Sequence, residues 1–192
     1  MNNVTYVQQK VPSLYTALTT GKDARNPVVY GVNSNPYVID YNSVVEIRLN
    51  NLDGGAHPFH LHGHQFQVVA RPNDNPDAPV SYNGDSSKFP RVPMRRDTVQ
   101  VMENNYLVLR YKANNPGVFL FHCHIEFHVE AGLTATMIEA PLQLQQQQQI
   151  PAGHLATCKA DGIPTAGNAA GNTVNHLDLR DARTAPPPNP SG

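Results

Sequence analysis

Two short segments hold seven of the nine histidines, and their spacing limits how the chain can fold. The first segment runs from His57 to His64, and the second runs from His122 to His128. Side chains two residues apart in a β-strand point to the same face, so a His-x-His pair on a strand presents two imidazoles on one side. Cys123, the central residue of the second pair, then points to the opposite side.

These two faces predict two metal sites on one pair of strands. If the segments lie on adjacent strands, four imidazoles gather on one face, and one thiol can meet two further histidines on the other. The four imidazoles are those of His60, His62, His122 and His124, and the second group is His57, Cys123 and His128.

The rest of the chain favours an all-β fold. Residues 44–49 alternate apolar and polar side chains, as a half-buried strand does. The 17 prolines and 13 glycines indicate many turns, and six or more short strands favour a β-sandwich or barrel. The other predicted strands are residues 66–70, 98–102, 106–111, 118–123 and 133–138.

Helices, loops and the tail are predicted from local composition. Two short helical stretches are residues 12–19, with Ser13 as N-cap, and residues 125–131, ended by Gly132. Residues 71–96 predict a long surface loop, and residues 145–149, all glutamine, mark the end of the core. We therefore divide the chain into a β domain at 1–144 and a Gln/Pro/Gly-rich, irregular tail at 145–192, with a polyproline II segment at 186–190.

Charge and targeting features exclude some classes of protein. The chain has 14 basic and 15 acidic residues, so no charge surplus predicts nucleic-acid binding. No apolar run reaches the roughly 18 residues of a membrane span, and residues 1–6 lack the features of a signal peptide. The sequence Asn3-Val4-Thr5 is a glycosylation sequon, which applies if the parent protein is secreted.

The two cysteines allow two interpretations. A disulfide between Cys123 and Cys158 is possible, but the setting of Cys123 between two histidines favours a metal ligand. Two histidines and one cysteine form the ligand set of a blue-copper electron-transfer site. Zinc is an alternative, although structural zinc sites take four strong ligands and commonly use paired cysteines. Core histidines without metal are a third interpretation, and burying so many titratable rings without partners costs free energy.

The two histidine segments resemble the copper signatures of the third, C-terminal cupredoxin domain of multicopper oxidases. The resemblance covers nearly the whole chain and implies a cupredoxin-like Greek-key sandwich or barrel. Residues 10–12, 93–98 and 167–172 resemble the fungal iron-transport ferroxidases, and the chain as a whole resembles a fungal ferroxidase or laccase-like enzyme. The resemblance implies type 1 copper ligands at His57, Cys123 and His128, a type 2 ligand at His60, and type 3 ligands at His62, His122 and His124.

The resemblance implies roles for four further residues. Leu133 falls at the axial position of the type 1 site, where leucine cannot donate to the metal, so the site is expected to be a stronger oxidant. Glu126 is implied in proton delivery, and a surface carboxylate on a short turn is the alternative. Asp53 is implied in Fe(II) binding, and a turn aspartate is the alternative. His64 has no ligand role in the family and is expected to pack or to support a ligand.

The implied activity is an oxidase that takes single electrons from Fe(II) or phenols and reduces dioxygen to water. Half of the histidines of the three-copper cluster come from N-terminal cupredoxin domains in this family, so this chain is expected to be a fragment of the enzyme. An iron permease is an implied partner, and the extracellular space or the outer face of the plasma membrane is the implied location. The alternative function is a stand-alone mononuclear cupredoxin that only transfers electrons.

Overall fold

A computed structural model describes residues 1–72 and 80–186. Within these residues, nine strands form two sheets that pack as a sandwich. The strands are β1 (Pro36–Ile39), β2 (Val44–Asn51), β3 (His57–Leu61), β4 (Phe66–Ala70), β5 (Met94–Arg96), β6 (Thr98–Val101), β7 (Asn105–Lys112), β8 (Gly117–Cys123) and β9 (Thr134–Glu139). One sheet has the order β1-β9-β8-β3-β6, and the other has the order β2-β7-β4-β5. The predicted all-β sandwich is confirmed.

Four helices accompany the strands in the described part of the chain. They are α1 (Ser13–Thr19), α2 (Glu126–Glu130), α3 (Pro141–Gln147) and α4 (Ala152–Ala160). Three 3-10 turns follow α1, at Gly21–Arg25, Pro27–Tyr30 and Val32–Ser34. Among the described residues, no helix combines the length and the apolar character that a membrane crossing requires.

The register of β3 with β8 determines which side chains meet. The two strands are antiparallel, with Phe59 opposite Cys123 and His60 opposite His122. Because side chains alternate along a strand, Phe59 and Cys123 face the interior, whereas His60 and His122 lie on the other face. The rings of Phe59 and Phe121 pack with their centroids 5.1 Å apart, and both residues are buried. This packing fixes the two histidine segments side by side.

The predicted strands agree with the observed ones within one or two residues, but some elements were not predicted. The predicted loop at 71–96 ends in β5, and its residues 73–79 lie outside the described part. Helix α1 begins at Ser13, with Pro12 in the N-cap position, so the prediction of Ser13 as N-cap is wrong. The predicted polyproline II segment lies outside the described residues after Pro186. Strand β1 and helices α3 and α4 were also not predicted.

The two cysteines lie in different clusters, and both are free. Cys123 belongs to the main core, whereas Cys158 packs in a small cluster with Val11 and Tyr15. The Tyr15 hydroxyl lies 3.3 Å from the Cys158 thiol, and burial together with this contact raises the pKa of Tyr15 to about 12. The possible disulfide between Cys123 and Cys158 is therefore wrong for this structure.

The segment after α4 is anchored by one buried asparagine. Asn168 is fully buried, and its side-chain oxygen accepts hydrogen bonds from the backbone N–H groups of Ala170 and Asn172. Its side-chain nitrogen donates to the carbonyl oxygens of His176 and Asp178. Buried backbone N–H and C=O groups need hydrogen-bond partners. This segment has no regular secondary structure, and the Asn168 side chain supplies four of those hydrogen bonds.

Candidate metal centre

Three side chains from two strands and one helix converge on a single point. His57 begins β3, Cys123 ends β8, and His128 lies in α2. The two Nδ1 atoms are 3.1 Å apart, and the Cys123 Sγ lies 3.7 Å from Nδ1 of His57 and 3.4 Å from Nδ1 of His128. Among the described residues, these three form the group whose ligand atoms all lie close enough for one metal ion.

The spacing of this group fits a bound metal ion. Bonds of about 2.0 Å to nitrogen and 2.3 Å to sulfur place neighbouring donor atoms roughly 3.3–3.8 Å apart in trigonal or tetrahedral coordination. The three observed separations, from 3.1 to 3.7 Å, agree with that range to within a few tenths of an ångström. The donor set is therefore arranged for a metal without rearrangement of the strands.

The tautomer of His57 is set by its hydrogen bond with Asp53. The Nε2 of His57 lies 2.8 Å from the Asp53 Oδ2, so this nitrogen donates its hydrogen to the carboxylate. The neutral ring then has its free lone pair on Nδ1, the atom that faces Cys123 and His128. The hydrogen bond with His57 is the largest cause that lowers the pKa of the Asp53 carboxyl. Asp53 is thus ionised through the neutral pH range.

Burial keeps the Cys123 thiol protonated and unreactive in the metal-free chain. Cys123 has no exposed surface, and this desolvation raises the pKa of its thiol. A bound metal ion reverses the effect, because a coordinating thiol loses its proton to the metal's charge. Metal binding at this group therefore releases a proton and is favoured by rising pH.

Four imidazoles lie together on the opposite face of the same two strands. The ring centroid of His60 is 4.8 Å from that of His62, 5.7 Å from that of His122 and 5.8 Å from that of His124. The Nε2 atoms of His62 and His122 approach to 3.0 Å. The structure therefore brings the two His-x-His pairs into one cluster.

Backbone carbonyls orient two of these rings. Nδ1 of His60 lies 2.9 Å from the Asp97 carbonyl oxygen, and Nδ1 of His122 lies 2.8 Å from the Cys123 carbonyl oxygen. A carbonyl only accepts, so each Nδ1 carries the hydrogen and each Nε2 keeps a free lone pair. Burial lowers the pKa of His62 and of His122, which keeps these rings neutral and able to bind metal.

A family model described as multicopper oxidase matches residues 6–143 of the chain, which include every residue of both groups. The chain belongs to the multicopper oxidase family. Copper is therefore the metal that this family membership indicates for the site.

The chain is similar to fungal iron transport multicopper oxidases. It is 53% identical over 191 residues to the iron transport multicopper oxidase fetC of Epichloe festucae, which covers 99% of this chain and 31% of that protein. It is 45% identical over 185 residues to the iron transport multicopper oxidase FET3 of Saccharomyces cerevisiae, which covers 93% of this chain and 29% of that protein. The chain thus spans about a third of the length of these curated relatives.

Two solved structures have a similar fold. The structure of Fet3p, described as a multicopper oxidase that functions in iron import, matches with a TM-score of 0.88 and 42% identity, over 95% of this chain and 35% of that one. A laccase from Botrytis aclada matches with a TM-score of 0.55 and 31% identity, over 68% of this chain and 23% of that one. The cupredoxin-like sandwich predicted from the sequence agrees with these matches.

The other predicted site residues of this multicopper oxidase chain differ in how they relate to the group of His57, Cys123 and His128. Leu133 is joined to it through the backbone, since its carbonyl accepts from the Cys123 N–H at 3.1 Å and its N–H donates to the His128 carbonyl at 2.9 Å. Glu126 is exposed in the first turn of α2, and its charge partly opposes the burial that lowers the pKa of His122. Asn3 is exposed.

Several residues that support the site were not predicted. Thr98 and the carbonyl of Asp97 hold His60, and Asn51 holds the turn that carries Asp53, since its side chain accepts from the Asp53 N–H at 3.1 Å. Glu139 was also not predicted; it is fully buried, and its carboxylate lies 2.6 Å from the His64 ring. In the sequence, only the position of Glu139 at the end of the largely apolar strand β9 could have indicated this pair.

Proposed function

We propose that this chain is the C-terminal copper domain of an iron-oxidising multicopper oxidase, which takes single electrons from Fe(II) and reduces dioxygen to water. The observation that carries the proposal is the convergence of His57, Cys123 and His128, with Asp53 hydrogen-bonded to the outer nitrogen of His57. The relatives described as iron transport oxidases support the same reaction class.

The His57, Cys123 and His128 group is proposed as the type 1 copper site. Two imidazoles and one thiolate are the ligands of blue-copper centres, and a copper ion bound there would supply a one-electron acceptor. The protein's contribution is to bury Cys123 away from water and to hold His57 in the tautomer with a free Nδ1. Leu133 supplies no donor atom, which leaves the oxidised metal less stabilised than a methionine would.

Asp53 is proposed to bind the Fe(II) substrate. Its carboxylate side chain is 64% exposed, whereas the His57 side chain in contact with it is 6% exposed. A hard carboxylate oxygen suits iron, and its negative charge favours Fe(III) over Fe(II). The Asp53 carboxylate is thus open to solvent on one side and contacts His57, a proposed ligand of the type 1 copper, on the other.

The four clustered imidazoles are proposed as half of the ligands of the type 2 and type 3 copper cluster. Cys123 is bonded directly to His122 and His124 through its own peptide bonds, which gives a short covalent route between the two groups. The N-terminal cupredoxin domains of the longer protein would supply the other ligands. Glu126 is proposed to transfer protons during dioxygen reduction, because it is an exposed carboxylate whose charge acts on His122.

The setting of the parent protein is proposed from the same resemblance. We place the enzyme in the extracellular space or at the outer face of the plasma membrane, with an iron permease as partner. Asn3 is exposed, as a glycosylated side chain must be. Mass spectrometry of the protein from a secreting host, with Asn3→Gln as control, tests the glycan at this position.

Copper loading tests the type 1 assignment. The purified chain is expected to bind about one copper tightly and to develop the intense visible absorption of a copper–thiolate bond. Cys123→Ser should remove the absorption, whereas Cys158→Ser should retain it because Cys158 lies in a separate cluster. A folded, copper-loaded chain without that absorption would contradict the assignment.

The same material separates the oxidase from a stand-alone electron carrier. Combining the chain with the N-terminal domains should raise the copper content and start dioxygen consumption, if the four clustered imidazoles bind metal. A chain that keeps one copper and consumes no dioxygen in that mixture would support the mononuclear carrier instead.

Replacing Asp53 tests the substrate. In the full-length enzyme, Asp53→Ala is expected to lower kcat/KM for Fe(II) roughly 10- to 100-fold, in the range found when a carboxylate partner of a metal ligand is removed. Phenol oxidation should fall less, and Asp53→Asn, whose side-chain oxygen can still accept from the His57 Nε2, separates the loss of charge at the iron site from the loss of the His57 contact. Asp40→Ala, at another exposed carboxylate, serves as control. Equal losses for both substrates would argue against an iron role.

A further inference from the structure

A buried pair of polar side chains lies under the turn between β3 and β4. The His64 Nε2 lies 2.6 Å from the Glu139 Oε2, and the side chains are 7% and 1% exposed. The second carboxylate oxygen of Glu139 accepts a hydrogen bond from the Asn115 backbone N–H at 2.5 Å. Both oxygens of this buried carboxylate are therefore satisfied, one by each of two different loops.

Each of the three consecutive residues 62–64 of this turn makes a hydrogen bond to another part of the chain. The His62 N–H donates to the Leu120 carbonyl at 3.0 Å, and the Asn115 side chain donates to the Gly63 carbonyl at 3.0 Å. His64 then makes the bond to Glu139. Because His62 is the first residue of this turn, its backbone position depends on all three contacts.

Gly63 leaves the turn no freedom to move toward the sheet. Its φ is +73°, and a Cβ at this position would lie 2.3 Å from the Phe119 ring. The Phe119 ring also packs edge-on against His64, with ring centroids 5.5 Å apart. The turn is thus pressed against Phe119 on one side and tied to Glu139 and Asn115 on the other.

A contribution to the free energy of unfolding does not by itself explain why His64 and Glu139 are paired in the interior. Taking an imidazole and a carboxylate out of water is costly, and well-packed apolar side chains of similar volume are often as stabilising. What a hydrogen-bonded pair adds is direction, because the bond constrains both distance and angle. The residue that benefits is His62, whose Nε2 lies 3.0 Å from that of His122.

We propose that His64 and Glu139 are positioning residues that fix the turn carrying His62, so that its imidazole stays against His122. The proposal rests on the proposed function in one respect, since it takes His62 and His122 as metal ligands. Neither His64 nor Glu139 is proposed as a ligand of the copper that His62 and His122 would bind. They act on the His62 ring through the backbone of the turn.

The decisive variant replaces the pair by apolar side chains. His64→Phe combined with Glu139→Leu removes both polar groups and keeps a ring against Tyr111 and Phe119, which His64 contacts with centroids 4.7 and 5.5 Å away. The double variant is expected to fold and to unfold at a somewhat lower denaturant concentration than the parent, because the exposed Asn115 N–H exchanges its Glu139 acceptor for water. Its His62 ring should nevertheless lose its fixed position, because no directional bond remains at residue 64.

Two measurements report on His62. In the metal-free chain, NMR cross-relaxation between the ring protons of His62 and His122 should be strong in the parent and weakened in the double variant. In the copper-loaded chain, Cu²⁺ binding beyond the first equivalent should weaken roughly 10- to 100-fold, as when an outer partner of a metal ligand is lost. The copper–thiolate absorption should stay unchanged, since Cys123 lies on the other face.

Control variants keep the test decisive. His176→Phe with Asp23→Leu removes a more exposed His–Asp pair with a 2.8 Å contact, and it should alter neither measurement. If the double variant does not fold, His64→Phe alone keeps Glu139 as the acceptor for the Asn115 N–H, removes the bond between residues 64 and 139, and should weaken the same ring contact.

Two outcomes overturn the proposal. One is a folded double variant that keeps the parent's ring contact and second-site Cu²⁺ affinity. The other, for a double variant that does not fold, is an unchanged ring contact in His64→Phe. If the isolated chain binds no Cu²⁺ beyond the first equivalent, the ring contact between His62 and His122 alone tests the positioning role, and the combination with the N-terminal domains tests the proposed cluster role of His62.

Discussion

Leu133 stands beside the metal group without donating to it. Two backbone hydrogen bonds connect it to Cys123 and His128, and its side chain packs against the main core. Leucine and methionine have similar volumes, so Leu133→Met is expected to cost less than about 1.5 kcal/mol of the free energy of unfolding. A thioether sulfur in this position stabilises oxidised copper, so the reduction potential should fall.

Redox titration of the copper–thiolate absorption measures this change. Leu133→Ile provides the control, because it alters the shape of the side chain without adding a donor atom. A potential that is equal in the parent and in Leu133→Met would mean that residue 133 does not face the metal.

The Asp53–His57 contact shows how a surface turn reaches a buried ligand. Asn51 fixes the turn by donating from its side chain to the carbonyls of Gly55 and Met102, at 2.7 and 2.9 Å. The carboxylate of Asp53 then meets the inward-facing ring of His57. One exposed residue thereby controls which nitrogen of a buried histidine carries the proton.

At the scale of elements, β2 and β7 are joined by a charge network as well as by their ladder. Glu46 of β2 lies opposite Arg110 of β7, and its carboxylate contacts both Arg110 and Arg48 at 2.7 Å. These arginines, Arg48 first, lower the pKa of Glu46 below its ordinary value of 4.5. The ionised carboxylate therefore stabilises the folded state, and most of that contribution is present above the unfolded pKa.

Glu46→Gln tests this contribution through its pH dependence. A lowered folded pKa means that the stabilisation is lost as pH falls through that value, so the parent should lose more stability between pH 7 and pH 3 than the variant does. The difference at pH 7 should be about 0.5–1 kcal/mol, since the carboxylate is partly exposed. Denaturant unfolding at both pH values measures it, and parallel losses would contradict the assignment.

The sequence predicts the elements whose pattern is local. Strand β2 alternates Val45, Ile47 and Leu49 toward the core, and this period of two is visible without any partner. Strand β1 has four residues and pairs in parallel with β9, about 100 residues away. Pairing with β9 stabilises this strand, and its own four residues are too few to show a pattern in the sequence. Helix α3 is mostly glutamine, and Leu144 packing with Ala17 and Tyr30 stabilises it.

The site could be predicted as far as faces and ligand types. The period of two separates Cys123 from His122 and His124, and the structure has them on opposite sides of β8. The groups that orient the rings could not be predicted, because the carbonyls of Asp97 and Cys123 belong to the backbone and leave no mark in the residue types.

For the molecule as a whole, the metal group joins parts of the chain that are far apart in sequence. His57 and Cys123 are 66 residues apart, and the group links β3, β8 and α2. A metal ion that needs all three donors in place binds the folded chain more tightly than the unfolded one. Copper bound at the proposed three-ligand site is therefore expected to stabilise the fold by mass action.

The size of this stabilisation can be estimated and measured. Free copper at 100 times its dissociation constant adds about 2.7 kcal/mol to the free energy of unfolding. For a chain of this length, 1 kcal/mol shifts Tm by about 2–4 °C, so copper should raise Tm by roughly 5–10 °C and a chelator should reverse the rise. Cys123→Ser should show a much smaller shift, because it lacks the thiolate. An equal shift in that variant would mean that copper stabilises the chain from another site, such as the four clustered imidazoles, and not through the three-ligand group.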